Sequence, residues 1–398
     1  MTPQGLQLLY LPPFSIIARF FVTAVFFAFI GSTYLTYQAV KGELLLPPAV
    51  HLFTLGFMAM TMIGALFQML PVVAGVTLER PLELAFAVHV SSLGGVLLLV
   101  LGFITGGKAS ALTGLLLLLA SFGGTAAYML YKLLKAENLR DAPRGFIFAL
   151  TAFLLGLLTG SSALLTLAGF LKLDYARLFD AHVGFMLWGW TALLVASVSF
   201  QVIEMFFVTP PYPRYLTRYL PPAVLALTVL RALIPFVLWD LLLSALFVAY
   251  AAVTAHRLSL RRRRVPDPLV YLWYYAVFFL AVSALLYPFK ERLFAWFLLS
   301  FGLFVLSVIS SMMMRIVAFL VWMHLTSQGV PNAPTMFKVI EPSDAWTLFS
   351  VHTALIASLV LLVEGFPLFT ALFLSAETFL LCCFVLKGVL TYARLRRA

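Results

Sequence analysis

His51-Leu-Phe-Thr-Leu-Gly56-Phe57-Met-Ala-Met-Thr-Met-Ile63-Gly64-Ala-Leu-Phe67-Gln68-Met-Leu70-Pro71 is a histidine followed by an apolar run of membrane-spanning length. The pattern returns as His182-Val-Gly-Phe-Met-Leu-Trp188-Gly189-Trp190, continuing to Phe200-Gln201-Val202-Ile203-Glu204. Aligning Phe67-Gln68 with Phe200-Gln201 also aligns Gly56-Phe57 with Gly189-Trp190, without a gap. A weaker third copy pairs Gly302 with Met314-Arg315-Ile316-Val317-Ala318, the glycine being out of step by one. These segments are the second, sixth and tenth of twelve apolar runs. The spacing suggests three four-helix units, near 1–140, 141–260 and 261–398, about a pseudo-threefold axis.

Working outward, similar runs recur along the whole chain. We place them near 14–40, 48–75, 82–105, 108–134, 145–171, 178–208, 216–238, 239–258, 267–288, 292–326, 345–363 and 366–393. Each can cross a hydrocarbon core about 30 Å thick as a helix. Of the 398 residues 63% are hydrophobic and 10% charged, which excludes an ordinary soluble domain. Barrel strands would alternate polar and apolar residues, so the long runs predict an all-α polytopic membrane protein. No polar stretch is long enough for a separate domain, and one transmembrane domain is expected over 1–398. The first run follows the polar Met1-Thr2-Pro3-Gln4-Gly5 without a small-residue cleavage pattern and reads as a retained helix.

The net charge of +11 is explained by orientation rather than by nucleic acid. Twelve crossings put alternate loops on opposite sides. One set, with both tails, carries Arg80, Lys132, Lys135, Arg140, Arg144, Arg214, Arg218, Arg257, Arg261 to Arg264, Lys338, Arg394, Arg396 and Arg397. The other carries Lys41, Lys108, Lys172, Arg177, Lys290 and Arg292. The positive-inside rule puts both termini in the cytoplasm. The Arg261–Arg264 cluster then faces anionic lipid as a topology anchor. Cys382 and Cys383 are neighbours in the last run, where packing is expected rather than a disulfide or a zinc site.

A histidine just inside an apolar span is a natural axial ligand for a metalloporphyrin. His51 and His182 enter their spans from the same side, so they can share a membrane depth. In the aligned repeat His182 stands two residues before the place of His51, about 200° of rotation. The two could serve one haem or separate sites. His89 and His352 lie deeper in the third and eleventh spans, as ligands or as buried hydrogen-bonding groups. His256 and His324 sit near the other interface. Glu83, Glu204, Arg231, Arg315, Glu364, Glu377 and Lys387 are the charges within spans, where desolvation is costly. The repeat predicts a Glu204–Arg315 pair at one depth, with Gln68 and Gln201 in the same polar layer. Arg177, Lys290 and Arg292 are the cations available to haem propionates. Gly56, Gly64 and Gly189 either permit close helix packing or leave room for a flat macrocycle that Phe57, Trp188 and Trp190 would line.

Twelve spans with special helices at two, six and ten resemble the large subunit of the haem-copper oxidase superfamily. The stretch from His51 through Ile63-Gly64-Ala65-Leu66-Phe67-Gln68-Met69-Leu70-Pro71 looks like the second helix of nitric oxide reductase and oxidase large subunits. His182 through Thr209-Pro210-Pro211-Tyr212-Pro213, and Phe319 to Leu325, look like a branch of oxidase-like bacterial membrane proteins. The resemblance implies a low-spin haem on His51 in a bacterial or archaeal cytoplasmic membrane. Catalytic members also need a histidine pair on the seventh span and two on the tenth. Here the seventh has none and the tenth only His324, at its other end. A complete dinuclear site is therefore not expected, nor is copper, nor conventional oxygen or nitric oxide reduction. The expectation is one or two b-type haems, held without covalent attachment since no Cys-x-x-Cys-His is present. Electron transfer, sensing or nitric oxide handling would follow, with a redox partner or a small gas as ligand. Oligomerisation remains open. Two other classes fit the same chain. One is a transporter or channel using the Glu204/Arg315/Gln68/Gln201 layer, with breaks at Pro71, Pro235 or Pro288. The other is a structural or assembly subunit without a cofactor.

Overall fold

The computed structural model describes residues 11–137 and 139–396; Met1–Gly5 and Arg397, read above, lie outside them. Eleven helical segments are long and apolar enough to cross a membrane. In order they are α1 (Phe14–Lys41), α2 (Leu46–Ala74), α3 (Pro81–Thr105), α4 (Lys108–Leu134), α5 (Asp141–Leu167), α6 (Tyr175–Phe207), α7 (Arg214–Leu233) and α8 (Val237–Ser259). The ninth, Pro268–Ser327, is followed by Pro342–Val363 and Pro367–Leu395.

At 60 residues, Pro268–Ser327 is far too long for one crossing, and it folds back on itself. Tyr287-Pro288-Phe289 forms a single 3₁₀ turn that divides it into α9 (Pro268–Leu286) and α10 (Lys290–Ser327). Ser311 donates to the Leu269 carbonyl at 2.8 Å and Ser283 to that of Phe297 at 3.4 Å, which fixes an antiparallel hairpin. Counting both arms, and naming the last two segments α11 (Pro342–Val363) and α12 (Pro367–Leu395), the chain is a polytopic all-α membrane protein. No strand occurs among the described residues.

The expected runs and the helices agree to within a few residues, and the fifth, Asp141–Leu167 against 145–171, lies four residues early. The seventh helix stops at Leu233 rather than near 238, because Pro235 disfavours helical geometry at Ile234, whose φ/ψ is −130°/91°. Pro235 and Pro288 therefore lie in connections, not in broken helices. Pro71 lies in a π-helical turn, Leu70–Ala74, that ends α2.

Burial sorts the helices into layers. Within the most apolar stretch, 89% of α2 and 83% of α6 are buried, against 39% for α3, α4, α5, α7, α8 and α12. On α10 every residue from Leu303 to Arg315 is buried, so the helix is enclosed on all sides. The interior helices are thus the second, sixth and tenth, and the others wrap round them. α1 packs along α12 and closes the circuit. Its start meets the end of α12 where the tilted rings of Phe14 and Tyr392 pack with centroids 4.6 Å apart. Both described ends therefore share one face of the bundle, the terminal face. His51 and His182 lie near the opposite, far face.

α2 and α6 share a backbone irregularity. Leu52–Ala59 and Gly184–Ala192 are π-helical, with wider i→i+5 turns. The shift that aligns Phe67-Gln68 with Phe200-Gln201 carries 52–59 onto 185–192, inside the second π segment. Each begins within two residues of its histidine.

Candidate functional site

Leu46 to His51 forms the first turns of α2, started by the pre-organised Pro47 and Pro48. His51 turns its ring back along the helix and donates Nδ1–H to the Pro47 carbonyl at 2.8 Å. The ring lies 5.0 Å from that of Phe103 on α3. His182 lies near the start of α6, where Asp174 caps the helix by accepting from the Arg177 amide. Its Nδ1–H donates to the Gly156 carbonyl of α5 at 2.8 Å. A carbonyl only accepts, so in both rings the neutral tautomer carries its proton on Nδ1 and leaves the Nε2 lone pair outward. Neither Nε2 has a hydrogen-bond partner among the described residues. Both rings are partly exposed. Two imidazoles anchored through Nδ1 with Nε2 uncommitted have the form that metal-ligating histidines take.

The surroundings divide into a cradle and a clamp. Gly160 holds the edge of His182, since a Cβ there would stand 2.5 Å from Cε1 and Nδ1. Gly156, one turn earlier, takes Met186 in the same way. Beside them Arg231 of α7 donates to Asp240 of α8 at 2.6 Å and also pairs with Asp180 of α6. Lys290 of α10 reaches Asp240 at 2.7 Å. Two cations and two carboxylates thus tie four helices at the far face, with Tyr287 beneath both cations. The Tyr287 hydroxyl and the Trp188 indole N–H are buried beside this clamp without partners.

The glycines of the repeat serve helix packing. Phe27 of α1 occupies the place of a Cβ on Gly56, Phe20 that on Gly64, and Ala152 of α5 that on Gly189. The aromatic residues are packed as well. Phe57 is buried, Trp188 sits among Phe247, Tyr287, Phe297 and Phe301, and Trp190 packs at a tilt against Phe153, ring centroids 4.5 Å apart. These positions leave no room for a macrocycle.

Other expected site residues are scattered. His89 gives its Nε2 to Thr23 of α1 at 2.7 Å. His352 is fully buried between Ser307 and Glu377. His324 joins α10 to the Pro12 carbonyl, and His256 is exposed. Arg177 donates to the Leu233 carbonyl and so closes the end of α7, Lys290 belongs to the clamp, and Arg292 is exposed. The expected Glu204–Arg315 pair does not form. Arg315 bonds Asp267, the cap of α9, at 2.5 Å, while Glu204 faces outward. Gln68 is buried with its amide nitrogen unpartnered and Gln201 is partly exposed, so no four-residue layer assembles. Glu83 and Glu364 are exposed, and Lys387 pairs with Asp344 at 2.7 Å near the terminal face.

Asp180, Asp240 and Asp267 are the groups that sequence reading missed. Their signal was an acid at the start of a span opposite a base late in a neighbouring one. Among the described residues no three His, Cys, Asp or Glu side chains converge as a metal site, and a bis-imidazole iron requires only two. No protein-family model and no curated protein sequence matches this chain.

Proposed function

We propose that this protein is a membrane-embedded b-type haem protein, a divergent relative of the haem-copper oxidase large subunit without a complete dinuclear site. His51 and His182 would hold the haem iron. One observation carries the reading: two histidines, on separate interior helices and near the same face, each commit Nδ1–H to a backbone carbonyl and leave Nε2 unpaired among the described residues. Backbone acceptors fix the tautomer and orient each ring. The matching π segments add support, because such turns concentrate at functional sites.

When bound, the haem supplies a one-electron couple. The chain's part is to hold two imidazoles and to keep charge close to the site yet balanced. The Arg231/Lys290/Asp180/Asp240 clamp holds α6 beside His182, since Asp180 is two residues from it. Arg292, exposed on the same face, is the cation available to a propionate. We place the protein in the cytoplasmic membrane of a bacterium or archaeon, its terminal face inward, from the excess of Lys and Arg there. The transporter reading loses its proposed polar layer, because Arg315 and Glu204 do not meet.

The test is an absorption spectrum with iron analysis on protein purified after expression with haem supplied. A Soret band is expected with one iron per chain, and His51→Ala and His182→Ala should each remove or shift it. Wild-type protein without a Soret band or iron would end this reading.

A further inference from the structure

Two fully enclosed ionisable groups lie apart from the two haem-ligand candidates. His352 of α11 and Glu377 of α12 are both 0% exposed, and each is ten residues from its helix start. At about 1.5 Å per residue that depth is the middle of the bilayer. Nδ1 of His352 lies 2.8 Å from Oε1 of Glu377, and Nε2 lies 2.9 Å from Ser307 Oγ on α10.

The protons at this site can be counted. Ser307 has one hydroxyl proton, which it donates to the Leu303 carbonyl at 2.6 Å. Its oxygen must then accept, so Nε2 of His352 carries a hydrogen. Two bare lone pairs facing at 2.8 Å would repel, so another proton lies between Nδ1 and Oε1. The resting pair is neutral overall. Ser310 donates to the same Oε1 at 3.2 Å, while Oε2 is buried with no partner among the described residues. An orphaned carboxyl oxygen at the centre of a bilayer marks a place for a transient donor, a water or a proton.

A hydroxyl seam leads away on both sides. Level with Glu377, Ser32 of α1 meets Thr378 at 2.8 Å, and towards the far face Thr36 meets Ser375 at 3.0 Å. Towards the terminal face, Ser310 and Ser311 precede Arg315 and its partner Asp267 by about one turn. The charged and titratable groups on the packed elements are few. α9 contributes Tyr275, 5.8 Å from the His352 ring, and Asp267, which is tied to Arg315 of α10. Asp344 of α11 and Lys387 of α12 pair with each other near the terminal face, and Cys382 lies on α12 five residues from Glu377. At this depth α1 adds hydroxyls, and no Lys or Arg among the described residues bonds Glu377.

We propose that His352 and Glu377 form a proton-transfer site at mid-membrane, fed along the seam between α1, α10 and α12. A proton arriving on Oε2 leaves Glu377 neutral and the bridging proton on Nδ1, so the pair carries one positive charge. Loss of the Nε2 proton through Ser307 restores neutrality. Exchange of the imidazole from its Nδ1–H to its Nε2–H tautomer, with rotation of the carboxyl to bring its proton to Nδ1, restores the starting pair without further gain or loss, and each pass moves one proton. The proposal does not depend on haem.

The test uses full-length protein in sealed vesicles containing a trapped pH dye, with a potassium gradient and valinomycin imposing the potential. Wild type should acidify the lumen at least tenfold faster than protein-free vesicles. Glu377→Gln should fall to the protein-free rate, and Glu377→Asp should keep part of the flux. Glu377→Gln is read only if it remains monodisperse with unchanged helical content. If it does not, the paired variants Ser32→Ala and Thr36→Val, which leave Glu377 in place, should lower the flux severalfold. Wild-type flux equal to that of empty vesicles overturns the proposal. So does full flux in a folded Glu377→Gln, or in both seam variants.

Discussion

At the scale of single residues, the decisive features are places where one atom more would not fit. Gly160 is the clearest, because a side chain there must displace the His182 ring or push α5 from α6. Gly160→Val should cost about 1–3 kcal/mol by overpacking. It should also disturb whatever His182 ligates. Gly302 is the opposite case, helical with nothing within 4 Å of an added Cβ. Gly302→Ala should therefore stabilise by about 0.5–1 kcal/mol through helix propensity alone. Thermal unfolding of both variants in one detergent checks the pair, and a larger loss at Gly302 than at Gly160 would refute the packing argument. The histidines themselves were legible as residues placed just inside apolar runs. Their orientation was not, since the acceptors are the carbonyls of Pro47 and Gly156, and backbone groups leave no mark in residue identity.

At the scale of elements, depth was legible and facing was not. Counting residues along a helix gives height directly, and it placed Glu204 and Arg315 at similar levels. Facing depends on accumulated rotation, and π segments such as Gly184–Ala192 change that phase upstream of Glu204. Asp267 then wins Arg315 because it caps the adjoining arm of the same hairpin. The far-face clamp follows the same logic, with Arg231 and Asp240 on the two arms of the α7–α8 turn. Asp240→Ala would leave Arg231 and Lys290 with a shared partner removed. Breaking a buried pair by deleting one member costs about 3–5 kcal/mol. Arg231 is only 4% exposed and keeps only Asp180, so the loss should fall within that range. Asp240→Asn retains an acceptor and should cost less. Unfolding temperatures that rank Asp240→Ala no lower than Asp240→Asn would show that the clamp carries no net stabilisation.

At the scale of the whole molecule, the number and limits of the helices were legible because lipid demands long apolar runs with internally bonded backbones. The layering was only partly so. Repeated motifs singled out spans two, six and ten, and burial now places those three inside. The closure of α1 on α12 could not be read, since it rests on contacts such as Ser32–Thr378 between residues hundreds of positions apart. That closure puts both described ends on one face, together with most of the loop cations. Moving charged loops across a bilayer is opposed most strongly where Lys and Arg cluster, so the face bearing Arg261–Arg264 should be cytoplasmic. Single cysteines test this in a background with Cys382 and Cys383 replaced by serine. A membrane-impermeant maleimide added to intact cells should label Gly106→Cys and Gly365→Cys, in exposed turns of the far face. It should leave Lys135→Cys and Arg263→Cys unlabelled until the cells are opened. The same labelling at all four sites from outside would break the topology, whereas a clean inversion would keep the fold and overturn only the orientation drawn from charge.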